Sequence, residues 1–499
     1  MAEPTSLPAP SADPGRRRRL LILGICCLSL FIVGLDNTVV NIALPAIQQD
    51  FDAPASGLQW IIDAYTLVLA SLLMLFGSVA DRFGRRRVFQ TGLLLFVLGS
   101  LLCSLAPSLE WLVVFRAVQA VGGSMLNPVA MSIITNTFTE PRERARAIGV
   151  WGGVVGISMA LGPLLGGFLV DIAGWPAIFL INVPVGLVAC LLTARYVPES
   201  RSPRPRRLDP VGQVLMVVLL GCGTAAIIEG PEHGWTSPLI LGLGAAALAA
   251  LVAFPFWELR VTEPLVDPRF FRSAPFTGAT VTAVCAFAAL GGFLFLNTLY
   301  LQNVRHYSPV EAGLWTLPMA GMMLVCAPLS GRIVGGRGPR GPLVAAGLGL
   351  AASGLLLTRL TADSPPGLLL AAYALFGFGF GMVNAPITNA AVSGMPRAQA
   401  GVAAAVASTS RQVGQSLGVA VIGTVVTSAV VGPVATGFAP ASHAGWWIVT
   451  GLGLAILLLG LVTTTAWATG TATRVAARLG GDPPLVRAGV RDAPPERLR

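Results

Sequence analysis

Lysine is absent from this 499-residue chain, and charged residues of any kind are scarce. Only 11 % of the residues are charged, whereas soluble globular proteins contain roughly 25 %. Hydrophobic residues make up 54 % of the chain, and the mean hydropathy is +0.74. This composition excludes a soluble globular protein and predicts an all-α membrane protein that crosses the bilayer many times.

The missing and rare residue types also exclude several chemistries. An ATP-driven pump with a phosphate loop of the form GxxxxGK[ST] needs a lysine, so the driving energy must come from elsewhere. The three histidines fall far apart in predicted outer loops, which argues against a metal site. All seven cysteines lie in apolar segments and are expected to be small core residues. No catalytic residues stand out, and we predict neither an enzyme nor a cofactor other than a proton gradient.

Apolar segments of about 20 residues, long enough to cross a bilayer as a helix, recur along the whole chain. Fourteen helices are predicted, at 20–43, 58–80, 88–106, 110–138, 147–170, 175–197, 211–230, 238–257, 274–300, 311–334, 341–360, 367–393, 400–430 and 445–470. The first is too long for a cleavable signal and has no small-residue cleavage site before Asp36 and Asn37.

The arginines predict the orientation of these helices. If both termini lie in the cytoplasm, two arginines fall in outer loops (Arg305 and Arg359), two fall within helices (Arg116 and Arg411), and the other 29 face the cytoplasm. The net charge of +10 is then explained by topology and contact with anionic lipid. Nucleic-acid binding is not expected, because the arginines flank helices and do not form a patch interleaved with aromatic residues.

An internal repeat predicts two related halves. A glycine-rich segment leads to Asn127 and then to a Pro-Arg loop, and the same order recurs about 257 residues later around Asn384. Two parallel six-helix halves around a central cavity would explain the repeat, while chance similarity in a Gly- and Ala-rich chain is the alternative. The predicted organisation is a cytoplasmic tail 1–19, an N-terminal half 20–197, a linker with an extra helix pair 198–273, a C-terminal half 274–470 and a cytoplasmic tail 471–499.

Several motifs resemble signatures of the major facilitator superfamily. The loop "GSVADRFGRRRVF" from Gly77 resembles the signature between its second and third helices, and "RAVQAVGGS" from Arg116 that of its fourth helix. "LDNTVVNIALPAI" from Leu35 and "VASTSRQVGQSLGVAVIG" from Val406 resemble its drug:proton antiporters with fourteen spans. The resemblance covers almost the whole chain, and it implies proton-coupled drug efflux without naming the drug.

The fifth predicted helix carries most of the antiporter signature. Its matching residues are Gly149, Gly162, Pro163, Gly166 and Gly167, and Ser158 stands where the pattern has glycine. Small residues let two helices approach closely, and Pro163 leaves a helical carbonyl free and permits a bend. We expect a helix that can alternate between two packings, with ordinary small-residue packing as the alternative.

The loop after the second predicted helix is expected to control conformation. Gly84 permits a tight turn, and Arg85 anchors the next helix at the membrane face. Asp81 opposes that anchoring charge, so a topology anchor alone does not explain it. The resemblance implies that Asp81 latches the two halves together, against the positive N-terminus of the helix near Gly401. Gly77 belongs to the same motif.

Asp36 and Asp63 are the only carboxylates predicted well inside membrane helices. At 1.5 Å per residue they lie roughly 10 Å and 8 Å from the outer ends of their helices, and Arg116 lies about 9 Å from the outer end of its own. The three side chains are therefore predicted to share one depth. Because intramembrane acids mark ion pathways, we predict that they couple transport to protons, with a static ion pair as the alternative.

Other polar residues within the helices are weaker candidates. Those predicted to line a substrate cavity are Asn37, Asn41, Gln59, Asn127, Asn384 and Arg411, with interhelical hydrogen bonding as the alternative. Glu311 is assigned a structural role, because "SPVE" from Ser308 predicts a capping box at the start of a helix.

Together these features predict a monomeric, proton-coupled exporter of amphipathic or cationic drug-like compounds. It would work by alternating access in the cytoplasmic membrane of a bacterium. A proton-coupled uptake symporter for a metabolite is the first alternative. A non-transporting membrane sensor is the second, disfavoured because no sizeable soluble domain is present to carry an output.

Overall fold

The computed structural model describes residues 14–202, 208–393, 395 and 399–479, and within these residues every regular element is helical. Most of the predicted tails, 1–13 and 480–499, lies outside the described residues. So do 203–207 of the predicted linker, together with Pro396 and Arg397 of the repeated Pro-Arg loop.

Seven helices form an N-terminal bundle, in which they pack mainly against one another. They are α1 (Pro14–Phe51), α2 (Ala55–Phe83), α3 (Arg85–Ser104), α4 (Leu109–Thr137), α5 (Pro141–Ala173), the single turn α6 (Ala177–Leu180) and α7 (Asn182–Tyr196). A helical hairpin follows, formed by α8 (Pro210–His233) and α9 (Pro238–Glu258).

The C-terminal bundle follows a short 3₁₀ helix, Pro268–Arg272. Its helices are α10 (Ala274–Leu299), which continues into a π-helical turn at Tyr300–Val304, α11 (Pro309–Trp315), α12 (Leu317–Arg337), α13 (Arg340–Leu357), α14 (Pro366–Val392), α15 (Ala400–Thr427) and α16 (Val434–Thr463). The last helix, α17 (Ala466–Arg478), packs beside the start of α10.

Twelve helical segments of the described chain are long and apolar enough to span a membrane, and α5 makes a thirteenth if its two bent parts are one span. The bend is 42°, between Arg142–Met159 and Leu161–Ala173. It lies where Pro163 cannot donate a backbone hydrogen bond to Met159. The remaining long helix, α15, is less apolar because Arg411, Gln412 and Gln415 lie near its middle.

Several predicted helices differ from the structure, and the first of them, predicted at 20–43, extends from Pro14 to Phe51. The helix predicted at 445–470 begins at Val434 instead, because Phe438 is buried in the apolar core. It ends at Thr463, and the Thr465 side chain then caps α17 by accepting the Ala468 N–H. The helices predicted at 175–197 and 311–334 are each divided, into α6 with α7 and α11 with α12. The capping box of Ser308 and Glu311 is confirmed.

Helix α8 contacts both bundles. The Gln213 amide donates to the Ser71 carbonyl of α2 at 2.6 Å, and the Thr424 hydroxyl of α15 donates to the Ile227 carbonyl at 3.4 Å. Helix α9 packs against α8 and exposes most of its remaining surface. The hairpin therefore lies beside the two bundles, where both α2 and α15 reach it.

Glycines set the closest helix contact of the N-terminal bundle, between α3 and α4. A methyl group at Gly122 would overlap the backbone nitrogen of Phe96, and one at Gly99 would lie 2.5 Å from the Gln119 Cα. These backbones approach each other as small-residue helix pairs in membranes do.

We expect Gly122→Ala to lower the free energy of unfolding by about 1–3 kcal/mol, because the added methyl group forces α3 and α4 apart. Gly24→Ala on α1 is the matched control, since no atom lies within 4 Å of a methyl group there. Thermal unfolding of both variants in detergent tests this. Equal midpoints for the two variants would contradict the close contact.

Candidate proton-coupling site

A buried ion pair joins α1 and α4. The Arg116 guanidinium donates to Asp36 Oδ2 at 2.5 Å, and the two side chains are 2 % and 0 % exposed. The other carboxylate oxygen of Asp36 accepts from the Gln119 amide at 2.9 Å and from the Asn182 amide at 3.0 Å. Arg116 also donates to the Ile61 carbonyl of α2 at 3.2 Å. Both charges are therefore compensated inside the bundle.

Aromatic rings and a second amide complete this network. The Arg116 guanidinium lies 4.1 Å from the Tyr65 ring centroid and 5.6 Å from that of Phe179. Gln119 accepts from Arg116 at 2.6 Å and donates to the Ser100 hydroxyl at 2.7 Å. Gln119 was not predicted from the sequence, although it lies three residues after Arg116 and therefore on the same helix face.

Asp63 lies apart from that ion pair. Its carboxyl group is fully buried, and Oδ1 accepts from the Thr66 hydroxyl at 3.3 Å. Oδ2 has no hydrogen-bond partner among the described residues, and the Ser416 hydroxyl of α15 lies near the carboxyl group but outside hydrogen-bond geometry. No basic side chain pairs with it in the described part of the chain. A protonated carboxyl group suits this environment, because an ionised one would be buried without a charged partner.

The four asparagines predicted to line the cavity lie on three helices, α1, α4 and α14. Asn37 and Asn41 lie one helical turn apart on α1, and the Asn41 side-chain amide donates to the Asn37 carbonyl at 3.3 Å. Asn127 of α4 and Asn384 of α14 are each half-buried. The side-chain oxygens of Asn37, Asn41 and Asn127 have no partner among the residues described. These three oxygens are buried and, in the described part of the chain, lack the hydrogen-bond donor that a ligand or a water molecule would supply.

The two bundles touch at the predicted outer end of α5. A methyl group at Gly167 would overlap the Pro309 carbonyl of α11, and one at Gly313 would lie 2.5 Å from the Pro163 carbonyl oxygen. Beside them, the Val310 N–H donates to the Asp171 carboxylate at 3.2 Å. These contacts close the outer end between α5 and α11.

Gln59 reaches the C-terminal bundle on the opposite side, from α2. The Thr424 hydroxyl of α15 donates to its side-chain oxygen at 3.3 Å. Gln59 is buried and, like Asp63, lies where α2 meets α15. It is therefore part of a contact between the bundles.

The other glycines of the α5 motif pack within the N-terminal bundle. Methyl groups at Gly162 and Gly166 would meet Thr38 and Val39 of α1. Ser158 is buried against Gly34, so the hydroxymethyl group fits where the facing residue of α1 has no side chain. Nearer the start of α5, Gly149 has no neighbouring atom within 4 Å.

The loop between α2 and α3 is held inside the N-terminal bundle. Gly84 adopts a φ of +115°, and a Cβ there would lie 2.6 Å from Glu199. Asp81 accepts from Arg85 at 2.9 Å, and within the described residues it makes no hydrogen bond or ion pair to the N-terminus of α15. A methyl group at Gly77 would lie 3.7 Å from the Pro128 side chain, an ordinary van der Waals distance. The predicted latch is not engaged in this structure.

Replacing Asp36 or Asp63 by asparagine should change the stability of the protein by different amounts. Asp36→Asn strands the Arg116 guanidinium, so we expect the protein to lose about 3–5 kcal/mol of stability. Asp63→Asn replaces a carboxyl group that has no charged partner, so we expect a change within about 1 kcal/mol. Thermal unfolding of both variants at pH 7 measures the difference. Equal losses would show that Asp63 is also ionised and paired.

Comparison with known proteins identifies a family and several relatives of this chain. Residues 26–419 match the family model described as Major Facilitator Superfamily. The chain is 38 % identical over 412 residues to the multidrug resistance protein Stp of Mycobacterium tuberculosis, covering 83 % of this chain and 76 % of Stp. It is 41 % identical over 430 residues to the tetracenomycin C resistance and export protein of Streptomyces glaucescens, covering 86 % and 80 %.

A third relative and a solved structure extend the match to nearly the whole chain. The puromycin resistance protein pur8 of Streptomyces alboniger is 39 % identical over 482 residues, covering 93 % of this chain and 94 % of its own. The fold resembles a crystal structure of a bacterial homologue of the human lysosomal transporter Spinster, with a TM-score of 0.59, 18 % identity and coverage of 94 % and 99 %. The chain therefore belongs to the major facilitator superfamily and is related to its drug-resistance transporters.

Proposed function

We propose that this protein exports amphipathic or cationic drug-like compounds in exchange for protons, across the cytoplasmic membrane of a bacterium. One observation carries the proposal. Asp63 is an acid fully buried inside a predicted span, at the contact between the two bundles, with one oxygen unpartnered among the described residues. The relatives are named for drug resistance and export, which supports the direction of transport.

Asp63 and the ion pair have different roles in this proposal. Asp63 binds and releases the proton, since no fixed positive charge holds it ionised. Asp36 and Arg116 hold α1, α2 and α4 in register around it, through the bonds to Asp36 and to the Ile61 carbonyl. Gain or loss of the proton changes the charge between α2 and α15, and a contact between two bundles is where such a change can shift a conformational equilibrium.

The arrangement of the bundles supports a state closed at the predicted outer end. Gly167 and Gly313 close the contact between α5 and α11 there. Toward the predicted cytoplasmic end, Gly153 and Gly156 of α5 and Gly335 of α12 have no atom within 4 Å of an added methyl group. We propose that compounds in the cytoplasm enter at this end of the protein.

Topology completes the proposal. We infer that α15 is a fourteenth span, because its 28 residues pack along α10 and α2 even though its middle is polar. An even number of spans places both termini in the cytoplasm, with the positive-inside distribution of arginine. We also infer that a single chain forms the working unit, with α8 and α9 as the extra helix pair between two six-span halves.

Efflux and uptake give opposite results in cells. An exporter lowers the steady-state accumulation of a cationic dye such as ethidium, and collapsing the proton gradient with an uncoupler restores it. An uptake symporter would instead allow growth on a new nutrient, and a sensor would change neither quantity. Expression in a host lacking its own efflux pumps tests all three.

We expect Asp63→Asn to lose dye transport driven by a proton gradient while it retains exchange of dye for dye, because exchange needs the binding site and no net proton movement. Reconstituted vesicles with and without an imposed pH gradient measure both activities. Asp63→Glu, which keeps a titratable group, should retain part of the coupled transport. Full gradient-driven transport by Asp63→Asn would remove Asp63 from the mechanism.

We expect Gly162→Val to slow the conformational cycle more than it weakens dye binding, because the added side chain overlaps Thr38 of α1. Gly153→Val, on the same helix with open space around it, is the matched control. Transport rate and dye affinity are measured on the same preparations. Unchanged transport by Gly162→Val would show that α1 and α5 need not pack closely.

A further inference from the structure

Arg116 lies within α4 and Arg411 near the middle of α15, and the two arginines differ in their partners. Arg116 is paired with Asp36, whereas within the described residues no carboxylate forms an ion pair with Arg411. The Arg411 guanidinium donates to the Thr388 hydroxyl of α14 at 2.7 Å and weakly to the Ser408 hydroxyl at 3.5 Å. Its Nε is buried and has no hydrogen-bond partner in the described part of the chain.

The depth of Arg411 makes the missing acid significant. It is the twelfth residue of α15, whose 28 residues span about 42 Å at 1.5 Å each. If α15 is centred on a hydrocarbon core of about 30 Å, the Arg411 Cα lies on the order of 10 Å inside that core. A charge at this depth is expensive and normally pairs with another charge or faces a functional cavity.

One turn beyond Arg411, α15 packs closely against its neighbouring helices. Gly414 and Gly418 touch α10, and Ser416 lies near Asp63 of α2. The face with Arg411 also contains Ala404 and Ser408, which are half-buried, whereas the next residues along the same face, Gln415 and Val419, are buried. The side chains on this face are thus less buried toward the predicted cytoplasmic end than beyond Arg411.

We propose that Arg411 binds an anionic group of the transported compound, so that the substrates include amphiphiles with a carboxylate or sulfonate. This inference rests on the proposed function and extends its substrate class beyond cations. A guanidinium presents two parallel donors that match a carboxylate, and the unpartnered Nε of Arg411 supplies one of them. The bound anion provides the counter-ion that the described residues lack.

A purely structural arginine, or one paired with lipid, would behave differently from an arginine that binds substrate. If Arg411 only joins α14 to α15 through Thr388, a neutral donor should replace it for every substrate. If its counter-ion is a lipid phosphate, the preference for an anion should require phospholipid. Comparing two dyes of opposite charge on one skeleton separates both roles from the proposed one.

The experiment measures binding of fluorescein, an anion, and rhodamine 6G, a cation on the same xanthene skeleton. The full chain is purified in a maltoside detergent without phospholipid. We expect Arg411→Gln to weaken fluorescein binding at least tenfold and to change rhodamine binding less than twofold, with Arg411→Lys intermediate. Arg332→Gln, which removes an exposed charge near the end of α12, should leave both affinities unchanged and controls for overall charge.

The inference would be overturned by equal loss of both dyes in Arg411→Gln, by no loss of fluorescein, or by a fluorescein preference that appears only after phospholipid is added. Wild-type protein that binds and exports rhodamine but not fluorescein would also overturn it, and the proposed function would stand. If cells expressing wild-type protein export neither these dyes nor ethidium, the proposed function itself fails.

Discussion

The ion pair between Asp36 and Arg116 determines how the N-terminal bundle is arranged around its polar interior. It joins α1 to α4, and its remaining donors and acceptors extend to Ile61 of α2 and Asn182 of α7. In hydrocarbon, each of these groups needs a partner, so the four helices can pack closely only in the arrangement that satisfies all of them. With this pair fixed, we propose that Asp63 is the acid that changes its charge.

Glycines of α5 form close contacts both within the N-terminal bundle and with the C-terminal bundle. Gly162 and Gly166 lie against α1, in the same bundle, whereas Gly167 lies against α11 of the other bundle. Both contacts have the same physical basis, because a glycine has no side chain to keep the two helices apart. In the transport cycle that we propose, contacts of the second kind break when the outer end opens. A short stretch of one helix therefore contains both a contact within one bundle and a contact between the two bundles.

Hydropathy was enough to locate the twelve helical segments of the described chain that are long and apolar enough to span a membrane, because spanning a bilayer fixes helix length. The same reasoning found Asp36 and Asp63, which are buried within two of these segments. Helix ends were less predictable. Phe438 extends α16 by packing into the core, and only the folded structure shows that packing. Gln119 and Asn182 were missed because a neutral amide carries no cost that distinguishes a network partner from any other polar residue. The pairing of Arg116 with Asp36 and not with Asp63 also depends on helix rotation, which depth alone does not specify.

The hydrogen bonds of α8 show how the extra hairpin is attached to the two bundles. Helix α8 bonds to α2 near both of its ends, through Gln213 to the Ser71 carbonyl and through Glu229, which accepts from the Trp60 indole at 2.6 Å. Its bond to α15 is single and longer, from Thr424 at 3.4 Å. That bond lies beside the Gln59 contact, at the end where the bundles meet. Among the described residues, helix α8 thus has more hydrogen bonds to α2 than to α15, and we propose that its contact with α15 separates when the outer end opens.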